Sequence, residues 1–314
     1  VYQPKVDVRG RAFGFEALVR WDSEEFGSVS PVRFIPLAEE TGLIGRLTEF
    51  VLRAACHEAA GWRASGHHDL RIAVNISPTL FREKDLAELV RSVLEESGLP
   101  PGNLELEITE GMLMGDVQRA LVVLKELKAM GVYIAIDDFG TGYSSLAYLK
   151  RFPIDILKVD RSFVMECDAG AEATAITRAI VALGQNLGLK IIAEGVETAG
   201  QQQFLAEHGC HAYQGYLYSR PLQIDAFELL RRSFGGSGYD LACAQNNAAI
   251  LYQLVDNQPK VDIVPFAPSF ANHIYFVYLN KKQSSKSAIA AYFNRLDDIQ
   301  QQVPFMSELT KKIL

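Results

Sequence analysis

The chain has 314 residues, nearly half of them apolar (48%), and a formal net charge of −7. That length suits one large α/β domain plus a smaller unit, and the negative charge argues against a surface that tracks polymeric nucleic acid, which would be basic. Four cysteines, Cys56, Cys167, Cys210 and Cys243, form no CxxC pair and no zinc-spaced cluster with histidine. They read as small core residues in a reducing compartment rather than as a disulfide framework. No apolar run is long enough to span a bilayer. No signal peptide is visible and the chain opens without Met, so it reads as a segment of a longer protein that carries any membrane or sensory parts.

Strand and helix patterns alternate from the first residue to about residue 234. Residues 1–8 and 12–19 read as two strands around the turn Arg9-Gly10-Arg11, an antiparallel start. Residues 31–42 and 46–65 read as helices. Then strands at 70–76, 104–109, 132–137, 154–159, 190–193 and 212–214 are each followed by helix-like sequence. The helices fall at 80–97, from 110 through 130, briefly after the loop 139–145, at 171–187 with Gly188 placed to end it, at 199–207 and at 225–233. So many βα repeats imply a parallel sheet closed into a barrel. Gly235-Gly236-Ser237-Gly238 then reads as a flexible linker. Beyond it Arg295 is the only arginine and Asn and Gln become frequent, which suggests a second segment of different origin over 239–314. There, 242–254 and 287–302 look helical, and 261–265 and 273–278 look like strands.

Seven short apolar runs end in a polar group: 13–16, 72–75, 104–107, 133–138, 154–158, 190–194 and 210–214. Burying those groups in strand sequence is costly unless they meet ions or each other. A barrel that delivers its strand ends to one face would bring them together. Alternation places Ala73 with Asn75, Glu105 with Glu107 and Thr109, Lys158 with Asp160, and Glu16 with Arg20 on faces opposite the branched residues. Carboxylates with one carboxamide suit Mg²⁺, Mn²⁺ or Ca²⁺ better than zinc. Adjacent Asp137 and Asp138 should point different ways, one bridging two ions and the other serving one. Such a pair of ions supports in-line phosphoryl displacement, with a buried lysine to orient the nucleophile or stabilise charge. Any one carboxylate alone would read as an ordinary ion pair or helix cap; their succession at strand ends does not.

Glu16-Ala17-Leu18, continued by Val19-Arg20-Trp21, resembles the signature of EAL-domain cyclic di-GMP phosphodiesterases. So do Tyr2-Gln3-Pro4, Val74-Asn75-Ile76-Ser77, Glu107-Ile108-Thr109-Glu110, the block from Asp137-Asp138-Phe139-Gly140 to Ser145, Lys158-Val159-Asp160, Glu194-Gly195-Val196-Glu197-Thr198 and Gln214-Gly215-Tyr216. The resemblance spans 1–234 and implies a TIM-like (β/α)8 barrel with one antiparallel strand. It implies that Glu16, Asn75, Glu107, Asp137 and Asp138 hold two Mg²⁺ or Mn²⁺ ions, with Asp160 a further acidic position. It also implies that Lys158 and Glu194 position or activate the attacking water, and that Gln3, Arg20 and Gln214 contact the dinucleotide. The loop after the metal-binding strand, with Phe139, Gly140 and Gly142 and the anchoring Glu110, would couple the site to homodimerisation. The implied reaction opens cyclic di-GMP to linear pGpG in the cytoplasm, and Ca²⁺ should bind but support little hydrolysis.

Two rival readings remain from the residues: a silent cyclic di-GMP receptor, and an interaction scaffold with a vestigial barrel. Intact Glu16, Lys158 and Glu194 count against the first. The segment 239–314 carries no chemical motif; its stretch 263–279 followed by 287–314 resembles a C-terminal fragment of bacterial extracytoplasmic solute-binding proteins. His57, His67, His68, His208, His211 and His273 fall outside every motif, and 22–25 reads as a solvated acidic loop.

Overall fold

β1 (Tyr2–Asp7) and β2 (Ala12–Ala17) form the antiparallel hairpin that opens the barrel, with Gln3 paired to Glu16. Asp7 shapes its turn by accepting hydrogen bonds from the backbone N–H groups of Arg9 and Arg11 at 2.9 and 3.0 Å. The computed structural model describes residues 1–82, 85–141, 149–168, 173–223, 250–255 and 258–263. The chain divides into two units, Val1–Glu228 and Leu229–Leu314.

After a small hairpin of β3 (Trp21–Ser23) and β4 (Gly27–Val29), the first unit continues with β5 (Arg71–Asn75), β6 (Leu104–Thr109), β7 (Tyr133–Phe139), β8 (Ile156–Val159), β9 (Lys190–Ala193) and β10 (Ala212–Tyr213). The closed barrel runs β1-β10-β9-β8-β7-β6-β5-β2. Each neighbouring pair is parallel except those that include β1, which is antiparallel to both β2 and β10. The TIM-like barrel with one reversed strand is therefore as expected. The β3–β4 hairpin corrects the reading of 22–25 as a plain loop: Trp21 and Val29 pair, with Glu24 and Glu25 left to the turn.

Among the described residues the α-helices are α1 (Pro31–Glu40), α2 (Ile44–Ala64), α3 (Pro78–Arg82), α4 (Leu86–Ser97), α5 (Glu110–Gly115), α6 (Val117–Met130), α7 (Arg161–Met165), α8 (Ala173–Asn186) and α9 (Ala199–Glu207). Two expected helices are each broken into two. Asp116 leaves helical geometry (φ −144°, ψ 88°) and its side chain accepts from Arg119 N, so it caps α6 rather than continuing α5. Asp85, at φ −113° and ψ 16°, also leaves helical geometry just before α4, without a capping hydrogen bond from its side chain. Gly188 turns the chain at φ +70° after α8, a conformation that favours glycine.

Alternation along the strands builds the core. Ile72, Val74, Leu104, Leu106, Ile108, Ile134, Ile136 and Leu157 are fully buried and pack outward beneath the helices. Their alternates face the barrel interior. One inner layer is apolar: Ala135, Ile156, Ile192 and Ala212, with Phe13 packed against them. Two residues further along the same strands the interior turns polar. Among the described residues no helix is long and apolar enough to cross a membrane.

In the second unit, β11 (Ile250–Val255) pairs antiparallel with β12 (Gln258–Ile263), Ile250 opposite Ile263. This corrects the expected helix over 242–254 at its end. The run Ile-Leu-Tyr-Gln-Leu-Val satisfies both periodicities, and short apolar runs of this kind are ambiguous until a partner strand is found. The strand expected at 261–265 overlaps β12. The elements expected at 225–233, 273–278 and 287–302, the linker 235–238, and Gly142 with the loop 143–145 lie outside the described residues.

Candidate active site

The inner faces of the strands deliver their polar residues to the C-terminal end of the barrel. Because β1 runs backwards, its beginning, Gln3, arrives there with the ends of the other strands. Lys158 of β8 is the centre. It is fully buried, and its Nζ lies 2.5 Å from Glu194 Oε1, 2.9 Å from Glu107 Oε1, 3.0 Å from Asp137 Oδ1 and 3.8 Å from Glu16 Oε2. Glu16 is further held by two carboxamides, accepting from Asn75 Nδ2 at 2.6 Å and from Gln214 Nε2 at 2.5 Å. Gln214 Nε2 also donates to Gln3 Oε1 at 3.2 Å, and Gln3 Nε2 to the carbonyl of Ser219 at 3.3 Å.

The loop after β9 that carries Glu194 is pinned by α9. Thr198 accepts from Gln201 N, and Gln201 Oε1 accepts from the N–H groups of Glu197 and Thr198, a capping box that fixes where the helix starts. Gly215 lets the two loops meet: a Cβ there would lie 2.1 Å from the carbonyl oxygen of Val196.

Asp138 departs from the expected alternation. Its φ of +52° is left-handed, a conformation that aspartate tolerates better than most residues. This turn, beside a register shift between β7 and β8, brings the two aspartates to one side instead of two. Asp137, Asp138 and Glu194 each offer an oxygen within 4.8 Å of the others. Asp137 and Glu194 border a cavity of about 230 Å³ that Gln3, Glu16, Asn75 and Gln214 also line.

The electrostatics follow from burial and crowding. Burial lifts the Glu16 carboxyl to about 7, Glu107 and Asp137 adding to the rise and Lys158 and Lys5 opposing it. Burial would lift Glu107 too, but Lys158 and Lys5 outweigh it and bring that carboxyl down to about 2. Asp138 rises to about 6 through burial and its neighbours Asp137 and Asp160. Glu194 is pushed well above the usual carboxylate range, chiefly by burial. Burial disfavours the Lys158 ammonium, yet the carboxylates of Asp137, Glu107, Glu16 and Glu194 hold it firmly charged.

Five carboxylates, Glu16, Glu105, Glu107, Asp137 and Glu194, thus share two lysines, Lys5 and Lys158, with Asp138 beside Asp137 and Glu194. Glu107 Oε2 is buried without a hydrogen-bond partner. An all-oxygen donor set with surplus negative charge and an orphaned carboxylate oxygen fits hard divalent cations.

Not every expected residue joins this group. Arg20 follows β2 and borders a separate cavity of about 300 Å³ with Tyr2 and Asp22; its guanidinium donates to the carbonyl of Val19 at 2.7 Å. Asp160 caps α7, accepting from Ser162 N at 3.0 Å. Glu110 opens α5 and accepts from Gly140 N at 3.3 Å, a link to the loop that follows the buried Phe139. Lys5 and Glu105 escaped the sequence reading as site residues. Lys5 shares a face of β1 with Gln3, and Glu105 shares one of β6 with Glu107, so alternation held the signal. At the rim Arg161 pairs with Glu197 at 2.8 Å, also unforeseen.

The family model for the EAL domain matches residues 1–221. The chain belongs to the EAL-domain family. It is 50% identical over 225 residues to the bifunctional diguanylate cyclase/cyclic di-GMP phosphodiesterase MucR of Pseudomonas aeruginosa, covering 71% of this chain and 33% of that protein. It is 46% identical over 234 residues to the cyclic di-GMP phosphodiesterase NbdA of the same organism, covering 74% and 30%. The chain thus spans about a third of the length of these curated relatives. Among solved structures, the PaMucR phosphodiesterase in complex with c-di-GMP matches with a TM-score of 0.70 at 49% identity, over 72% of this chain and 92% of that one.

Proposed function

We propose that the EAL barrel hydrolyses one phosphodiester of cyclic di-GMP to linear pGpG with two divalent cations, Mg²⁺ or Mn²⁺. The observation that carries this reading is the convergence on Lys158: carboxylates from β2, β6, β7 and the end of β9 lie between 2.5 and 3.8 Å from its Nζ. The named activity of the relatives MucR and NbdA supports it.

Glu16, Asn75, Glu107, Asp137 and Asp138 would hold the ions, with Asp160 a further acid near Asp138. When bound, the ions polarise the phosphodiester and make water more acidic. Lys158 balances negative charge that grows on the phosphate in the transition state. Glu194, its carboxyl raised by burial, takes the proton of the attacking water at the oxygen that Lys158 leaves free. Gln3 and Gln214 orient the dinucleotide, and Arg20 swings from the Val19 carbonyl to fork onto a phosphate. Glu110, Phe139, Gly140 and Gly142 couple the site to a homodimer formed through the barrel. The barrel spans 1–234 and works in the cytoplasm; 235–238 links it to a small α/β segment, 239–314.

Incubating the chain with cyclic di-GMP and Mg²⁺ should yield pGpG on chromatography, and chelation should stop it. Tight binding with no product would turn the reading to a receptor. Ca²⁺ should bind, yet support less than about a tenth of the Mg²⁺ rate because its looser geometry positions water poorly; brisk turnover in calcium alone contradicts this.

A further inference from the structure

Lys5 is 1% exposed and belongs to none of the roles assigned above. Its Nζ donates to Glu105 Oε1 and to Glu107 Oε1, each at 2.6 Å. β1 and β6 are not neighbours; β2 and β5 stand between them on one side of the barrel. The contact is therefore a strut across the interior, one layer below the mouth. It meets Glu107 at the same oxygen that Lys158 touches from the other side at 2.9 Å. Both cations engage Oε1, while Oε2 is buried without a partner.

A buried carboxylate oxygen left without a donor is costly, and native proteins rarely keep one without a use. Clamping one oxygen fixes the carboxylate plane and decides which way the other points. Glu105 offsets the charge of the clamp, so that Lys5 brings no net positive charge toward the site. We propose that Lys5, balanced by Glu105, is a positioning residue that holds Glu107 with Oε2 presented as a metal ligand. The inference rests on the metal-dependent reading above.

Charge alone predicts the opposite sign. If Lys5 acted only through its field, removing an ammonium beside a cation site would tighten cation binding. If it positions Glu107, removing it weakens binding, by about 10- to 100-fold as for other groups that orient metal ligands. The test is calorimetric titration of the full chain with Mn²⁺ alone. Lys5→Met should weaken Mn²⁺ binding by that factor, and Glu105→Gln, which leaves Lys5 on Glu107, should change it less than about threefold. Because Lys5→Met strands the buried Glu105 carboxylate and can unfold the chain, the double variant Lys5→Met with Glu105→Leu replaces the pair by apolar groups, a change that is often tolerated. It should regain thermal stability while Mn²⁺ binding stays weak, a split that a merely structural role would not produce. Wild-type affinity in the double variant, or tighter binding in Lys5→Met, overturns the proposal. If both Lys5 variants fail to fold, a tenfold loss in Glu105→Gln overturns it and near-native binding upholds it. If the wild type does not bind Mn²⁺, the metal-dependent reading fails first and takes this one with it.

Discussion

On β7 to β10, two layers of the barrel interior lie two residues apart along the chain and differ completely. β7 gives Ala135 and then Asp137, β8 Ile156 and then Lys158, β9 Ile192 and then Glu194, β10 Ala212 and then Gln214. The first residue of each pair fills space at low cost. The second brings charge or a carboxamide into a place almost as dry: Lys158 is as buried as Ala135 and Ile192. Neighbouring layers share strands and pleat, so architecture alone does not demand the polar one. Its expense makes sense for ligand and ion chemistry, which gathers at the strand ends.

Four changes probe that contrast. The largest effect should come from Glu16→Ala in the upper layer, which removes a carboxylate that holds Asn75 and Gln214. Turnover should fall at least about 10³-fold, several kcal/mol of lost charge stabilisation; a wild-type rate of pGpG release refutes the assignment. Lys158→Met should cut kcat by about 10²- to 10³-fold while the affinity for cyclic di-GMP, read by calorimetry with Ca²⁺ in place of Mg²⁺, moves only a few-fold. Equal losses in both would place its role in the ground state.

The third change is pH. The folded chain keeps a proton on Glu16 up to about 7, against an ordinary value of 4.5, and Asp138 behaves alike, about 6 against 3.8. Between those limits the native state binds more protons than the unfolded one, so the stability of the metal-free protein should fall as pH rises. The depressed Glu107 has the opposite sign, but its effect is lost only as pH falls toward about 2. Mn²⁺ binds the deprotonated carboxylates, so the rise in Tm that it causes should grow over the same window. Melts whose metal-dependent shift does not change from roughly pH 5 to pH 7.5 would sink this account. The smallest effect belongs to the lower layer: Ile192→Val should cost about 0.5–1.5 kcal/mol of stability and leave kcat within twofold. A tenfold loss of kcat would erase the distinction between the layers.

The barrel was legible because its strands obey a period of two with one apolar face, and each of the eight expected strands matches a barrel strand. The convergence of Glu16, Glu107, Asp137, Lys158 and Glu194 followed from that period plus closure. The β3–β4 hairpin was hidden because Asp22, Glu24 and Glu25 carry no apolar alternation; it lies outside the barrel and buries little. Asp138 was misjudged because alternation assumes extended backbone, and a positive φ at one residue redirects its side chain. The Lys5 strut was missed for a different reason. Both of its ends were on interior-facing positions, but which charges meet across a barrel depends on its diameter and stagger, and no spacing along the chain records those.

The reversed direction of β1 carries a mechanical consequence. Tyr2 exchanges backbone hydrogen bonds with Leu222 at 2.8 Å in both directions, tying the beginning of the barrel to the stretch beyond its last strand. Gln3, the next residue, touches Gln214 within the pocket. A torque applied to the backbone at Val1, or a tug on the chain after Leu222, therefore acts through one stitch upon the pocket that Gln3 and Gln214 line, with no lever arm between.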